Sequence, residues 1–248
     1  MASTTANPTK RKNDDVEQSQ TKRFRFACSD MITVLVGAHE HRFTVHQDLI
    51  CDSSDFFKAA CNGAWKGAGT KTVTLRDVEQ YCFKMYVEWL YDRTVDLFDL
   101  AHTCEMEFLE ATQDVMPYKP DSIATHIVCQ LWVLADFLGD ETLKNSAVDM
   151  VERHITLLGR WLRTRTAAYV VDNSTPQSGL RRLMIALIVA RLKPENLERI
   201  GPTMAPSLVL ELLKALVAKQ ERGSEQDTGN NVDRCKYHEH KIESAKCA

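Results

Sequence analysis

The sequence carries little net charge and has no long apolar run. Its 31 Lys and Arg residues nearly balance its 34 Asp and Glu residues, which leaves a formal net charge of -3. So small a charge produces no strong field, and composition therefore favours neither nucleic acid nor an anionic membrane surface. No apolar stretch reaches the ~18 residues that a membrane-spanning helix needs. We therefore expect neither a membrane nor a nucleic-acid partner.

The sequence also lacks the marks of a secreted protein. The polar N-terminus has no hydrophobic segment of a signal peptide, and the eight cysteines do not show the dense, regular spacing of a disulfide framework. Several cysteines stand singly within apolar patterns, as Cys82 and Cys129 do, which is typical of buried free thiols. We expect reduced thiols and an intracellular location, cytoplasmic or nuclear.

Patterns that carry catalysis are missing as well. Gly63, Gly67 and Gly69 are not followed by the Lys-Ser/Thr pair of a phosphate-binding loop. No Gly-x-Ser-x-Gly elbow and no His-Glu-x-x-His helix occurs. The carboxylates are scattered over polar faces and do not form an acid-base pair. The sequence therefore predicts a protein that is not an enzyme.

The first 27 residues are polar and carry two basic clusters, Lys10–Lys12 and Lys22–Arg23. A segment so poor in apolar residues cannot bury enough surface to offset its ordering entropy, so residues 1–27 are predicted to be a disordered tail. Two basic clusters with a spacer also fit a bipartite nuclear-import signal. The alternative is a solvated tail whose charge is diluted by neighbouring carboxylates.

An α+β domain is predicted to follow over residues 28–157. Residues 31–36 and 42–46 form a predicted hairpin, and residues 72–75 form a third strand. The polar run Asp52–Asp55 supplies capping side chains for a helix that contains Phe56 and Phe57. The next helix is apolar almost all round.

Residues 92–122 contain two prolines and are predicted to be a long, partly ordered insertion. Two tightly joined helices come next, because Gly139 closes one and Asp140 begins the other. Residues 158–219 form a predicted helical extension in which residues 169–176 are an extended or turn-rich connection. Pro206 opens its last helix at a permitted N-terminal position. A polar tail rich in Cys and His occupies residues 220–248.

Several motifs, in order, resemble the BTB/POZ family. An Asp precedes an apolar strand, Phe-x-Val-His follows, and Ser-x-x-Phe-Phe comes next; Tyr86–Tyr91 and Ala135–Leu138 resemble the family's later helices. The whole chain resembles the stand-alone BTB proteins of fungi. The resemblance implies a small sheet flanked by helices, with an all-helical C-terminal region after it. The fold-defining residues it implies are Asp30, Phe43, His46, Asp48, Ser53, Phe56, Phe57, Trp89 and Tyr91.

Three of these residues also have structural roles on local grounds. His46 lies between a strand and a helix, where an imidazole forms hydrogen bonds to loose backbone groups, so we expect a hydrogen-bonded core histidine. Asp30 and Ser53 are expected to be caps and not an acid or a nucleophile.

The resemblance implies a module that binds other proteins by self-association, as a homodimer, or by partner recruitment. Cullin-3 ubiquitin ligases are one such partner, and a nuclear, transcription-linked role is another alternative. Family adaptors carry an apolar-x-Glu motif after the Phe-Phe helix, whereas Trp65-Lys66-Gly67 has glycine at the Glu position. The candidate partner-binding residues are Phe57, Trp65 and Lys66. Long family dimers also have an N-terminal helix and strand, and only Phe24 and Phe26 stand at that place.

The C-terminal tail contains a cluster of metal-ligand types. Cys235, His238, His240 and Cys247 fall within thirteen residues. Zn²⁺ takes four such ligands tetrahedrally, and a zinc site folds a segment that has no core of its own. The spacing matches no common zinc finger, so a solvated tail or histidines docked on the last helix are the alternatives.

Overall fold

The computed structural model describes residues 30–63, 71–95, 120–158, 163–221 and 234–240. Strand β1 spans Met31–Val36, β2 spans His41–His46 and β3 spans Thr72–Leu75. The three strands form one sheet in the order β2-β1-β3, antiparallel between β1 and β2 and parallel between β1 and β3. The predicted hairpin and third strand are therefore confirmed.

The turn between β1 and β2 depends on left-handed backbone. Gly37 has a φ of 75° and Glu40 a φ of 53°. A glycine adopts this conformation without the steric cost of a Cβ atom, which is why the first apolar strand ends at Gly37. The alternation along β1 then turns Ile32, Val34 and Val36 toward the core.

Helices make up most of the described remainder. Their bounds are α1 Gln47–Ser53, α2 Asp55–Gly63, α3 Gln80–Asp92, α4 Pro120–Leu138, α5 Glu141–Leu158, α6 Thr164–Asp172, α7 Gly179–Arg191, α8 Pro194–Ile200 and α9 Pro206–Glu221. The short 3₁₀ turns are Gly201–Thr203 and Arg234–Lys236. Pro206 is the first residue of α9, as predicted.

The first hydrophobic core joins the sheet to helices α1–α4. Phe57 and Phe83 are fully buried in it, with their ring centroids 6.5 Å apart. Phe43 meets Phe83 edge-on at 5.0 Å, a geometry that aromatic pairs prefer. Helix α3 is buried on several sides, as its apolar composition predicted. The core continues through α4 as far as Leu143 in α5.

The opposite side of α4 belongs to a second core. Val128, Cys129 and Trp132 pack there against α5 and α7. A third cluster joins α6, α7 and α9. Because α4 contributes to both the first and the second core, the sheet domain and the helical extension are packed against a shared helix.

The junction between α4 and α5 is the predicted helical hairpin. Gly139 adopts a φ of 71°, and a Cβ atom added there would lie 3.1 Å from the Cβ of Asp55. Asp140 Oδ1 accepts a hydrogen bond from the Leu143 backbone N–H at 2.9 Å, which is the N-cap contact expected of an aspartate. Gly139 as helix stop and Asp140 as helix start are both confirmed.

The connection predicted at residues 169–176 is wrong in its first part. Tyr169–Val171 lies inside α6, and the turn begins only at Asn173. The apolar residues Ala167, Val170 and Val171 are buried against neighbouring helices, and this packing outweighs the β-preference of a Val-Val pair. The predicted insertion also ends earlier, because α4 begins at Pro120; residues 96–119 lie outside the described ranges.

The helix predicted to start at Asp52–Asp55 is α2, and a further helix that was not predicted precedes it. Helix α1 already occupies Gln47–Ser53, and the side-chain cap of α2 is Ser54, whose Oγ accepts the Phe57 backbone N–H at 3.2 Å. Ser53 is therefore not the cap of the Phe-Phe helix. The sulfur atoms of Cys51 in α1 and Cys61 in α2 lie close together.

Candidate protein-interaction surfaces

Two aromatic rings form an exposed patch where α2 meets the end of α4. Phe137 leaves 56% of its surface exposed, which is unusual for so large an apolar residue. Its ring centroid lies 5.2 Å from that of Phe56, which is half-buried and in turn meets the buried Phe57 edge-on at 5.2 Å. We call Phe56 and Phe137 the aromatic patch.

A buried serine fixes the geometry of this patch. Ser54 Oγ donates to the Leu138 carbonyl at 2.6 Å and accepts the Phe57 N–H at 3.2 Å. Ser54 is 1% exposed, so both bonds are shielded from water. The start of α2 is thereby tied to the end of α4, which holds Phe56 and Phe137 side by side.

Asp140 lies behind the patch in a polar group that is almost fully enclosed. Burial raises the pKa of Asp140, while the Leu143 N–H, Arg93 and the Trp89 indole oppose that rise. The pKa of the neighbouring Tyr86 hydroxyl is also raised, by burial first and by the Asp140 charge second. Tyr86 and Trp89 of α3 are therefore buried next to the α4–α5 junction.

An open cleft of about 810 Å³ lies next to the patch. Its walls come from the α1–α2 junction, the end of α3, the start of α5 and the C-terminal segment. Four carboxylates line it, Asp52, Asp55, Glu141 and Asp149, against one guanidinium, Arg93. Asp55 immediately precedes Phe56, so the acidic cleft and the aromatic patch are continuous along the chain.

The polar residues expected to define the fold form specific contacts. His46 Nδ1 and the Tyr91 hydroxyl are 2.6 Å apart, so His46 is hydrogen-bonded, but at a partly exposed position and to a side chain, whereas contacts to backbone groups in the core were predicted. Asp30 pairs with Lys71 through its carboxylate, and its backbone carbonyl accepts the Gln47 N–H.

The other members of that set differ in exposure. Ser53 accepts a hydrogen bond from Arg93 Nη2 at 2.7 Å, and Asp48 is an exposed acid in the first turn of α1. Trp89 is buried, whereas Tyr91 is 44% exposed.

Phe57 does not offer its side chain to a partner. It is fully buried between the sheet and α3, so its predicted partner-binding role is wrong and its contribution is to the core. The aromatic residues that reach the surface nearby are Phe56 and Phe137. The sequence did not single out Phe137, because it lies within an apolar helical pattern that predicts burial. The other predicted partner-binding residues, Trp65 and Lys66, lie outside the described ranges, as do the basic clusters near the N-terminus.

The sequence model of the BTB/POZ domain family matches residues 25–114. The chain contains a BTB/POZ domain. This domain is a protein–protein interaction module, and the small mixed sheet with its flanking helices is the corresponding fold. No curated protein matches the chain. None of the helices in the described ranges is long and apolar enough to cross a membrane.

The segment 234–240 packs against helices α5 and α7. Tyr237 is 7% exposed and packs into the second core, with the Arg182 guanidinium 5.9 Å from its ring centroid. His238 Nε2 lies 2.9 Å from Asp149 Oδ1 on α5. The tail histidine therefore docks on α5 and not on the last helix.

The predicted zinc ligands are only partly brought together. Cys235 Sγ lies 3.6 Å from His240 Nε2, whereas His238 is engaged with Asp149 and Cys247 lies outside the described ranges. Within those ranges, no group of three or more His, Cys, Asp or Glu side chains is placed to hold a metal ion. The zinc site stays a prediction that requires Cys247.

Metal analysis of the purified chain tests this prediction. Because tetrahedral zinc needs all four ligands, we expect one Zn²⁺ per chain in the wild type and loss of the metal on Cys247→Ser. Cys82→Ser serves as the control, since this buried thiol lies in the first core. Zinc well below one per chain in the wild type would remove the site.

Proposed function

We propose that the chain recruits a protein partner through the aromatic patch of its BTB domain. The supporting observation is the 56% exposure of Phe137 beside Phe56. Covering an exposed aromatic ring contributes roughly 1.5–3 kcal/mol to association. Aromatic residues at the centre of an interface are also enriched among those that carry most of the binding energy.

The cleft beside the patch supports a partner with basic residues next to its apolar anchor. Asp52, Asp55 and Glu141 outnumber Arg93 along the cleft, whereas Asp149 already contacts His238. Opposite charges on the partner would steer its approach and set its orientation. The proposed ligand is therefore an apolar side chain flanked by Lys or Arg.

Cullin-3 is the partner class that the BTB resemblance adds to this proposal. An adaptor role would place the chain between a ubiquitin ligase scaffold and a substrate. Gly67 stands where family adaptors carry Glu, so a cullin contact here would depend more on the aromatic patch. A purified cullin-3 N-terminal region is thus the first defined ligand to test.

Phe137→Ser is expected to weaken partner binding by about tenfold or more, because it removes the exposed ring without disturbing the core. Quantitative mass spectrometry of proteins captured by the full chain gives the partner set, and calorimetry with the cullin region gives an affinity. Leu197→Ser is the matched control, since Leu197 is 47% exposed on α8, a helix that does not contribute to the patch.

Identical partner sets for wild type and Phe137→Ser would overturn the recruitment proposal. Absence of cullin binding at micromolar concentration would reject the adaptor role alone. A drop with Leu197→Ser that equals the drop with Phe137→Ser would show that a general loss of apolar surface, and not the patch, is responsible.

Self-association is the second candidate, and a different surface favours it. Leu210, Leu213 and Val217 are each more than half exposed along one side of α9, at the spacing of neighbouring turns. Two copies of α9 could cover these stripes against each other. Size-exclusion chromatography with light scattering should then give a dimer that Leu213→Ser dissociates and Phe137→Ser does not; a monomeric wild type would reject this candidate.

A further inference from the structure

The C-terminal segment 234–240 occupies a groove between α5 and α7. We define the α5–α7 groove by Lys144, Asn145 and Asp149 on α5 and by Gly179 and Arg182 on α7. Seven residues of the segment are described, and apart from the 3₁₀ turn Arg234–Lys236 they form no regular structure. The segment is therefore held by contacts with the groove.

Asn145 recognises the backbone of the segment. Its Nδ2 donates to the Glu239 carbonyl at 2.9 Å, and its Oδ1 accepts the Glu239 N–H at 2.9 Å. This paired contact satisfies both backbone groups of one residue, as a neighbouring β-strand would. This contact involves the backbone of the segment and none of its side chains.

Two groups select a carboxylate at the Glu239 position. Lys144 forms an ion pair with Glu239, and the Gly179 N–H donates to Glu239 Oε1 at 3.1 Å. Gly179 is the first residue of α7, so its N–H belongs to the positive end of a thirteen-residue helix. Charge-assisted bonds of this kind are about twice as strong as neutral ones.

Tyr237 supplies the apolar anchor, and Gly179 supplies the space for it. A Cβ atom at Gly179 would lie 1.8 Å from the Tyr237 carbonyl oxygen, which is a direct clash with backbone. Gly179 does not have a positive φ. Helix α7 itself therefore does not require glycine at this position. The close approach of the segment is what requires it.

We infer that the α5–α7 groove is a recognition site for a short peptide that carries Tyr and, two residues later, Glu. The chain's own residues 234–240 occupy this site, and a protein partner with the same Tyr-x-Glu pair displaces them. Residues 222–233 connect the segment to α9 in the same chain, so its binding to the groove is intramolecular and competes with binding of an external peptide. The inference does not depend on the aromatic patch or on zinc.

Gly179→Ala in the full chain tests whether the segment is seated as described. Hydrogen exchange at Glu239 should accelerate by about tenfold or more, because its N–H loses the Asn145 acceptor, while exchange within α7 stays unchanged. Gly201→Ala is the matched control, since a Cβ there meets nothing within 4 Å. Unchanged exchange at Glu239 in Gly179→Ala would overturn the inference.

Recognition of an external peptide is tested with a labelled peptide of residues 233–241. The binding protein is the full-chain variant Tyr237→Ala/Glu239→Ala, in which the chain's own segment is expected to leave the groove. Saturable binding to this variant is expected, at least about tenfold tighter than to the self-occupied wild type. Adding Gly179→Ala should abolish it, and a peptide with Glu239→Gln should bind about tenfold more weakly. Equal binding with and without Gly179→Ala, or no binding to the vacated groove, would overturn the inference.

Discussion

Arg181→Ala is expected to lower the free energy of unfolding by about 3–5 kcal/mol. Arg181 is 8% exposed, and its Nη1 donates to the carbonyls of Val171 and Ser174, each at 2.7 Å. Its Nη2 lies 3.3 Å from Glu211 Oε2 on α9. Removal of the guanidinium deprives two carbonyl oxygens and a carboxylate of this donor. Because these acceptors are shielded from water, water does not replace the lost hydrogen bonds, and the effect on stability is large.

Urea unfolding monitored by circular dichroism measures this effect. Lys214→Ala is the matched control, because Lys214 pairs with the same Glu211 but is 63% exposed. A pair so open to solvent contributes less than about 1 kcal/mol. A loss for Arg181→Ala no larger than that of Lys214→Ala would contradict the assignment of Arg181 as the link between the α6–α7 turn and α9.

Acid is expected to destabilise the fold through His126. Burial, helped by nearby Arg165, lowers the pKa of His126 from 6.5 to about 4. Between these two values the unfolded chain binds a proton that the folded chain does not, so stability falls as the pH decreases from about 6.5 to 4. The full shift corresponds to a loss of roughly 3 kcal/mol, which is absent above that window.

His126→Gln should flatten this acid dependence. Glutamine does not titrate and can still bond the Thr166 hydroxyl, which lies 3.2 Å from His126 Nδ1. Stability from pH 4 to 8 is followed by urea midpoint, with the exposed His41→Gln as control. If His126→Gln kept the acid-induced loss of the wild type, another group would be responsible for it.

Local sequence signals predicted much of the fold. The apolar, β-branched run of residues 31–36, the glycine stop at Gly139, the Asp140 cap and the Pro206 helix start each depend on neighbours within a few positions. Such signals are carried by backbone geometry and by local hydrogen bonds, so no distant contact is needed to recognise them.

The candidate sites were less accessible to the same reasoning. Phe56 and Phe57 are adjacent and chemically identical, yet Phe57 is in the core and Phe56 borders the surface. The cap of α2 is Ser54 and not Ser53, because Ser53 is the last residue of α1, a helix that the sequence analysis did not predict. Which of two neighbouring Phe residues is buried, and which of two neighbouring Ser residues caps the helix, depends on where each helix begins and how it is rotated. Both are set by tertiary packing.

The sequence by itself determined the short-stranded sheet, the helical hairpin at Gly139 and the BTB resemblance, because each depends on the type and spacing of residues that are close together in the chain. Only the tertiary structure decided that Phe137 stays exposed beside Phe56. It alone also decided that Glu239 meets Lys144 and Gly179, residues 95 and 60 positions away. Contacts between such distant positions follow from how helices pack around shared cores, which no local pattern encodes.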